Sequence, residues 1–563
     1  MTRQIPQTLS IGLSVLIAIQ PFSPAFGQEP ERAAPGAAEA GRAHFLEAHQ
    51  RARAEARARE AGLLADPAVS YDTLLRLVQQ KVKYVFVIYQ ENRSFDSYFG
   101  TFPGANGLFS QAAADTPGFV QNIVNTDGST GTISPFRIGP SEYAADTDDI
   151  DHSHARLVAK MDIQNNVAQM DKFAVTEELK YSPTGNPSLK AKQYGELAMA
   201  YEDCDTVPLL WAYADRFVLF DNIFQSMTGP STPGNLAIIG AQTGQTQWAL
   251  HPSQAPAVPV FNDNDPFWGS PSDKSANPLP VNPGDFPGYG IQVNLTFATL
   301  PLSTLLSTAA SVTAADRSAA TDLVDVQDDI TLLSKLMQPA VGFGWYEEGF
   351  DKEVTDNAGP VTADGSHASY ITHHNGPQYF GYIANNPALR SELHYDRVPP
   401  PIVYSGLDQS SYSYGPRVPL ILISPYAKLG YISHAQGSHG SVVKFVDAVF
   451  GLPPLATLPD ELLGRYLAFF ELGQDNVGPD DAITPSVSDL LDAFDVSRLL
   501  GVFPPLGPEF VMVAQKYVNT IPQTSGLGCA DLGITTTDRQ LGVVNRIPTD
   551  FNPRPNTNPS PVQ

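Results

Sequence analysis

The stretch Tyr84-Val85-Phe86-Val87-Ile88-Tyr89, followed at once by Gln90-Glu91-Asn92-Arg93-Ser94-Phe95-Asp96, decides the fold. Six β-branched and aromatic residues that end abruptly in polar ones predict a buried central strand of an α/β sheet. Ligands of such sheets gather outside the carboxyl ends of the strands, so Glu91 and Asn92 emerge where a site is expected. Their oxygens suit a hard cation. On pattern alone, the same residues also describe a strand running into an Asx-type turn.

The surrounding chain of 563 residues is long enough for a large α/β domain with insertions. Met1-Thr2-Arg3, the apolar run from Leu9 to Ile19 and the small residues before Gln28 predict a cleavable secretory signal over residues 1–27. That run is too short to span a bilayer, and no later segment reaches the length of a membrane helix, so a periplasmic or secreted protein is expected. Removing the signal takes away Arg3 and no acid, moving the formal charge from -25 to -26. So acidic a chain argues against nucleic acid and against tight adhesion to anionic lipid. Cys204 and Cys529 are the only cysteines. An oxidising compartment permits them to pair, and sequence leaves open whether they do or remain two thiols.

Residues 28–69 are dominated by Ala, Glu and Arg from Glu31 onward and predict a solvated helical arm. The main domain is expected over 70–500, with Tyr71 to Lys81 as an amphipathic lead-in and turns and short strands between Pro103 and Asp148. Thr206-Val207-Pro208 signals a helix carrying Leu209, Leu210, Ala212, Tyr213, Phe217 and Val218. Residues 251–301, rich in Pro, Asn, Asp and Gly, read as an insertion covering the site. Arg417 to Pro425 predicts a second buried strand. A helix from His439 to Phe450 should end at Gly451. Residues 501–547 form a C-terminal extension, and the Pro- and Asn-rich 548–563 a disordered tail.

The longer string from Gln90 through Phe99-Gly100-Thr101-Phe102-Pro103-Gly104 resembles the opening signature of the bacterial phosphoesterases that include phosphatidylcholine-type phospholipases C and related acid phosphatases. Gly229-Pro230-Ser231-Thr232-Pro233-Gly234-Asn235, after Asp221-Asn222-Ile223-Phe224, is similar to that family's nucleophile signature. Without the family it reads as an ordinary turn. Asp149-Ile150-Asp151-His152, with Met170-Asp171-Lys172-Phe173 later, resembles a third element, in which His154 rivals His152. His373-His374 before Gln378-Tyr379-Phe380, and the run from Ser433-His434 to His439, resemble two more.

The resemblance implies an alkaline-phosphatase-like α/β/α sandwich and a divalent metal ion held by Glu91 and Asn92. It implies Ser231 as nucleophile, with Thr228 and Thr232 as neighbouring alternatives, and His152, His373, His374 and His439 as phosphate ligands or proton donors. A serine hydroxyl is weakly nucleophilic near neutrality, which is why a cation beside it is chemically sensible. The implied substrate is a phosphate monoester or a phospholipid head group.

One departure from the family bears on activity. The His-His helix runs through Leu389-Arg390-Ser391-Glu392-Leu393-His394 directly into Tyr395-Asp396-Arg397-Val398-Pro399-Pro400. A central segment of the family pattern is missing there, and Leu389 and Arg390 occupy the positions of two metal-binding carboxylates. Asp146, Asp148, Asp149 and Asp151 are the available substitutes. Weak metal binding, slow turnover and an exposed strand edge are expected, with a non-catalytic phosphate-binding protein as the second reading.

Overall fold

The computed structural model describes residues 37–64, 66–90, 93–144, 147–152, 154–164, 167–226, 237–238, 241, 394–404, 411–457, 481, 487–511, 527–543 and 545–556. They form a mixed α/β fold of helices and small sheets. The helices that position the site are α1 (Ala37–Glu60), α2 (Tyr71–Lys81), α3 (Phe95–Phe99), α4 (His154–Met161), α5 (Phe173–Tyr181), α6 (Leu189–Leu197), α7 (Pro208–Arg216) and α8 (Gly440–Phe450). Local signals set several of their ends. The Ser70 hydroxyl accepts the Thr73 N–H at the start of α2, Pro208 opens α7, and α8 stops where Gly451 turns left-handed at φ 67°.

The expected excursion after Pro103 contains the hairpin β1 (Gln121–Val124) and β2 (Thr130–Ile133), then β3 (Phe136–Arg137). A second small hairpin joins β4 (Ile163–Gln164) to β5 (Val167–Ala168), and β6 (Ala200–Tyr201) runs parallel to β3. These elements share a core with Phe136, Ile150, Met161, Phe173, Leu197 and Tyr395.

The central strand of the largest sheet among the described residues is β7 (Val218–Phe220), not the expected Tyr84–Tyr89. On the chain follow β8 (Ile223–Phe224), the hairpin β9 (Ile402–Tyr404) and β10 (Ser411–Ser413), then β11 (Leu420–Leu422), β12 (Tyr431–Ser433) and β13 (Gly437–Ser438). β7 lies between antiparallel β11 and parallel β12, so both its edges are paired. Its period-2 alternation sends Val218 and Phe220 to one core, with Val78, Phe445 and Val449. Leu219 goes to the other, with Phe45, Phe95, Phe99 and Trp211. The helix expected to carry Val218 therefore ends at Arg216. β11 falls within the expected second strand but is a half-buried edge, with Ile423 exposed beyond it.

Tyr84–Tyr89 forms no strand, and Tyr84, Phe86 and Ile88 are 81%, 87% and 86% exposed. An apolar run supplies the side chains for burial but not a partner, and no described strand pairs with this one. Two further expectations are corrected. The N-terminal arm is a docked helix, because Phe45, Ala48, His49 and Ala52 recur at i, i+3, i+4 and i+7 and are buried. The tail is held as far as Asn556, since Phe551 and Asn552 are buried and Asp550 pairs with Lys192 at 2.8 Å. Cys204 and Cys529 form a disulfide that ties the C-terminal extension to the core around Trp211. Among the described residues no helix is long and apolar enough to cross a membrane. The signal segment 1–27 and the insertion 251–301 lie outside the described residues.

Candidate active site

Two parallel strand pairs follow one another along the chain. β7 pairs with β12 from Val218↔Tyr431 to Phe220↔Ser433, and β8 pairs with β13 from Ile223↔Gly437 to Phe224↔Ser438. Between them two residues, Asp221 and Asn222, face three, His434, Ala435 and Gln436. The extra residue is a bulge, a device that re-aims side chains. It sets the His434 ring against Asp221, with Nδ1 2.8 Å from Oδ2. Oδ2 also accepts the Asn106 N–H at 2.7 Å, while the Asn222 amide donates to the His434 carbonyl at 2.9 Å. Asp221 is fully buried and its Oδ1 has no hydrogen-bond partner, whereas the His434 side chain is 61% exposed.

Behind this pair stands Arg417, fully buried and bridged through its backbone to Phe224 and Phe95. Its guanidinium binds Asp396 through Nε and Asp96 through Nη2, both at 3.0 Å. Nη1 donates to the carbonyls of Asn106 at 2.6 Å and Asp221 at 2.8 Å. The same group lies over the Phe95 ring, 4.7 Å from its centre. Arg397 adds its N–H to Asp96 at 2.7 Å and its guanidinium to Asn106 and the Gly107 carbonyl. Burial pushes the Asp96 carboxyl up to about 7, against the pull of Arg417 and with the push of Asp396. One arginine thus joins the opening signature, the segment before the nucleophile signature, and Tyr395-Asp396-Arg397.

His439 lies just past the carboxyl end of β13 and immediately before α8. It is 5% exposed, meets the Tyr89 ring edge-on at 5.6 Å, and has no hydrogen bond at either ring nitrogen. Burial lowers its pKa to about 4, so the ring is neutral at physiological pH. β13 runs beside β8, whose next residues are Gln225 and Ser226; the Gln225 side-chain oxygen Oε1 and the Ser226 hydroxyl are likewise buried without partners. Buried polar groups are ordinarily satisfied, and such a concentration of exceptions marks a place for a ligand or ordered water.

His152 precedes α4, half-buried beside the first core, with Nδ1 3.4 Å from the Ile150 carbonyl. No hydrogen bond or ring contact joins it to His439 among the described residues. Two expected substitute metal ligands are occupied. Asp151 pairs with Lys180 at 3.0 Å, and Asp148 accepts the Asn556 N–H at 2.6 Å. A different group, Asp203, Asp205 and Cys529, brings ligand-type atoms within 4.8 Å of one another. It does not fit a metal: the sulfur is spent in the disulfide, and both carboxylates bind Arg137 and Arg539 at 2.6–3.0 Å.

Glu91, Asn92, Ser231, His373 and His374 lie outside the described residues, as do Leu389, Arg390 and Asp146. Reading the sequence missed Arg417 and the Asp221–His434 pair. The only signal for them was their place inside or beside quoted motifs.

The profile of the Phosphoesterase family matches residues 82–386 and 391–453. The interruption contains Leu389 and Arg390. A non-hemolytic phospholipase C of Pseudomonas aeruginosa is 23% identical over 460 residues, covering 71% of this chain and 58% of that protein. A non-hemolytic phospholipase C of Burkholderia pseudomallei is 22% identical over 418 residues, covering 66% and 55%. The hemolytic phospholipase C of P. aeruginosa is 28% identical over 157 residues, 28% of this chain and 18% of that protein. The chain thus spans little more than half the length of the non-hemolytic relatives it matches.

Proposed function

Because this chain belongs to the Phosphoesterase family, we propose that it hydrolyses phosphate esters, either monoesters or phospholipid head groups, through a phosphoserine formed on Ser231. The observation that carries this reading is His439: a buried, neutral imidazole with both nitrogens unpartnered, at the strand ends beside the run that leads into Gly229-Pro230-Ser231. Such a ring donates one hydrogen bond and accepts one, which suits a phosphoryl group carrying both oxygens and a hydroxyl. In the full assignment His152, His373 and His374 join it, on an alkaline-phosphatase-like α/β/α sandwich. The helices and cores on both faces of β7 support that architecture. A divalent metal at Glu91 and Asn92 would supply positive charge for the phosphoryl oxygens. A periplasmic or secreted location goes with the reading, as does the disulfide.

Acid-quenched reaction with a ³²P-labelled aryl phosphate tests the reading. Label is expected on the peptide containing Ser231 and absent from Ser231→Ala, whose turnover should fall at least 100-fold. Full turnover by Ser231→Ala would refute the nucleophile. The interruption of the family match at 387–390 favours a second reading, a phosphate-binding protein without catalysis. Phosphate binding by calorimetry that ignores chelators, with no turnover, would select it.

A further inference from the structure

We propose that residues 545–556 are a strap that fastens residues 147–152, so that the C-terminal segment sets the place of the element bearing His152. Residues 147–152 form neither helix nor strand, so no ladder of their own fixes their backbone. Their far end is held from α4 and α5, where Lys160 donates to the Asp151 carbonyl and Lys180 pairs with the Asp151 carboxylate at 3.0 Å. Their near end is held by the strap. The Asp148 N–H donates to the Pro553 carbonyl at 2.7 Å, and the Asp148 carboxylate accepts the Asn556 N–H at 2.6 Å. One buried residue is thus bonded through both its backbone and its side chain to two points of the strap.

The strap is in turn anchored to the body at three places. The Asn545 amide donates to the Pro135 carbonyl at 2.7 Å, just before β3. Phe551, 1% exposed, meets the Phe136 ring edge-on at 5.1 Å. On α6, Lys192 donates to both carboxylate oxygens of Asp550 at 2.8 Å, and its neighbour Gln193 donates to the Asp550 carbonyl at 2.6 Å. Lys190 adds a bond to the Asn556 side chain at 2.6 Å, so α6 holds the strap on both sides of Phe551.

Ordinary packing of a chain end explains the burial of Phe551. It does not explain Pro553 and Asn556, which lie beyond that anchor and turn their backbone groups to Asp148. Nor does a rigid framework describe the strap, which has no helix or strand of its own and is reached from the preceding helix through exposed Leu541 and Gly542. A segment fixed by side-chain anchors and a few bonds can open locally while paired strands stay closed. When it opens, Asp148 loses two bonds at once.

Hydrogen exchange of the full chain, read by mass spectrometry, tests the strap without measuring turnover, so its outcome stands apart from the phosphoester reading. Asp550→Lys sets two ammonium groups against each other at a side chain that is 32% exposed. Amides of residues 147–152 and of the strap should then exchange about tenfold faster or more, with the peptide over β7 unchanged. Asp550→Glu keeps the charge and should keep wild-type rates. Phe551→Ala, which removes the apolar anchor instead, is the second variant and should speed the same two stretches. A fast strap beside unchanged residues 147–152 in either variant, or no change in both, overturns the proposal. So does a rise in Asp550→Lys that extends to β7, or equal rates in Asp550→Glu and Asp550→Lys.

Discussion

Replacing Arg417 with Met removes the guanidinium that pairs with both Asp96 and Asp396 in a fully buried site. The methionine fills much of the volume but leaves two carboxylates without their partner, together with the carbonyls of Asn106 and Asp221. Breaking a buried ion pair in this one-sided way costs about 3–5 kcal/mol. The comparison is Lys172→Met, which breaks a pair with Asp162 on a side chain that is 47% exposed and should cost less than about 1 kcal/mol. The pH dependence has a definite sign. Asp96 is held up to about 7, well above the ordinary carboxyl value, so it is protonated below that point and needs no cation there. Its stabilising contribution as a neutral acid is complete below the unfolded value and is lost as pH rises through about 7. Without Arg417 the ionised form is worse still, so the variant should be penalised more at pH 8 than at pH 5. Urea denaturation of both variants and the wild type at the two pH values measures this. A loss no greater than that of Lys172→Met, or a larger loss at pH 5, would refute the clamp.

Three other outcomes are expected. Cys204→Ser should lower stability by about 2–4 kcal/mol and open the C-terminal extension to limited proteolysis, because the bond joins positions 325 apart. Phe45→Ala should cost about 3–5 kcal/mol by denaturation, since the ring is 1% exposed and carries the buried Arg216 guanidinium 3.8 Å above it. His439→Leu should blunt acid destabilisation: burial lowers the wild-type imidazole to about 4, so the stability tied to its neutral form is lost as pH falls from about 6.5 toward 4. That contribution is on the order of 3 kcal/mol, read as the difference between wild type and variant at pH 7.5 and pH 4.5.

What was legible in the sequence is what local chemistry encodes. The Ser70 cap, Pro208 at the start of α7 and Gly451 after α8 each act within one turn of the chain, and each stands where its residue type predicts. β7 was missed because Val218-Leu219-Phe220 continues the apolar character of α7, and only its pairing on both edges makes it central. Tyr84–Tyr89 misled for the converse reason, having the composition of a central strand and no described partner. In α1 the abundance of Arg and Glu hid a four-residue buried face, Phe45, Ala48, His49 and Ala52, that docks the helix. The place of His439 between a strand and a helix could be read from its motif. The Asp221–His434 contact could not, because it joins residues 213 positions apart and depends on a one-residue shift of strand register.

Arg417 and His434 separate two kinds of dependence that meet at Asp221. Arg417 holds the Asp221 backbone through its carbonyl, while His434 is held by the Asp221 side chain. A change at Arg417 therefore shifts Asp221 and everything bonded to it, including Asn106 and the opening signature that carries Asp96. Stability and turnover should fall together there. A change at His434 ends at an exposed ring and leaves the buried network paired except for one bond to Asp221 Oδ2, which keeps the Asn106 N–H. Stability should fall little, which is the pattern that divides an exposed ring resting on the buried network from the arginine that holds that network together.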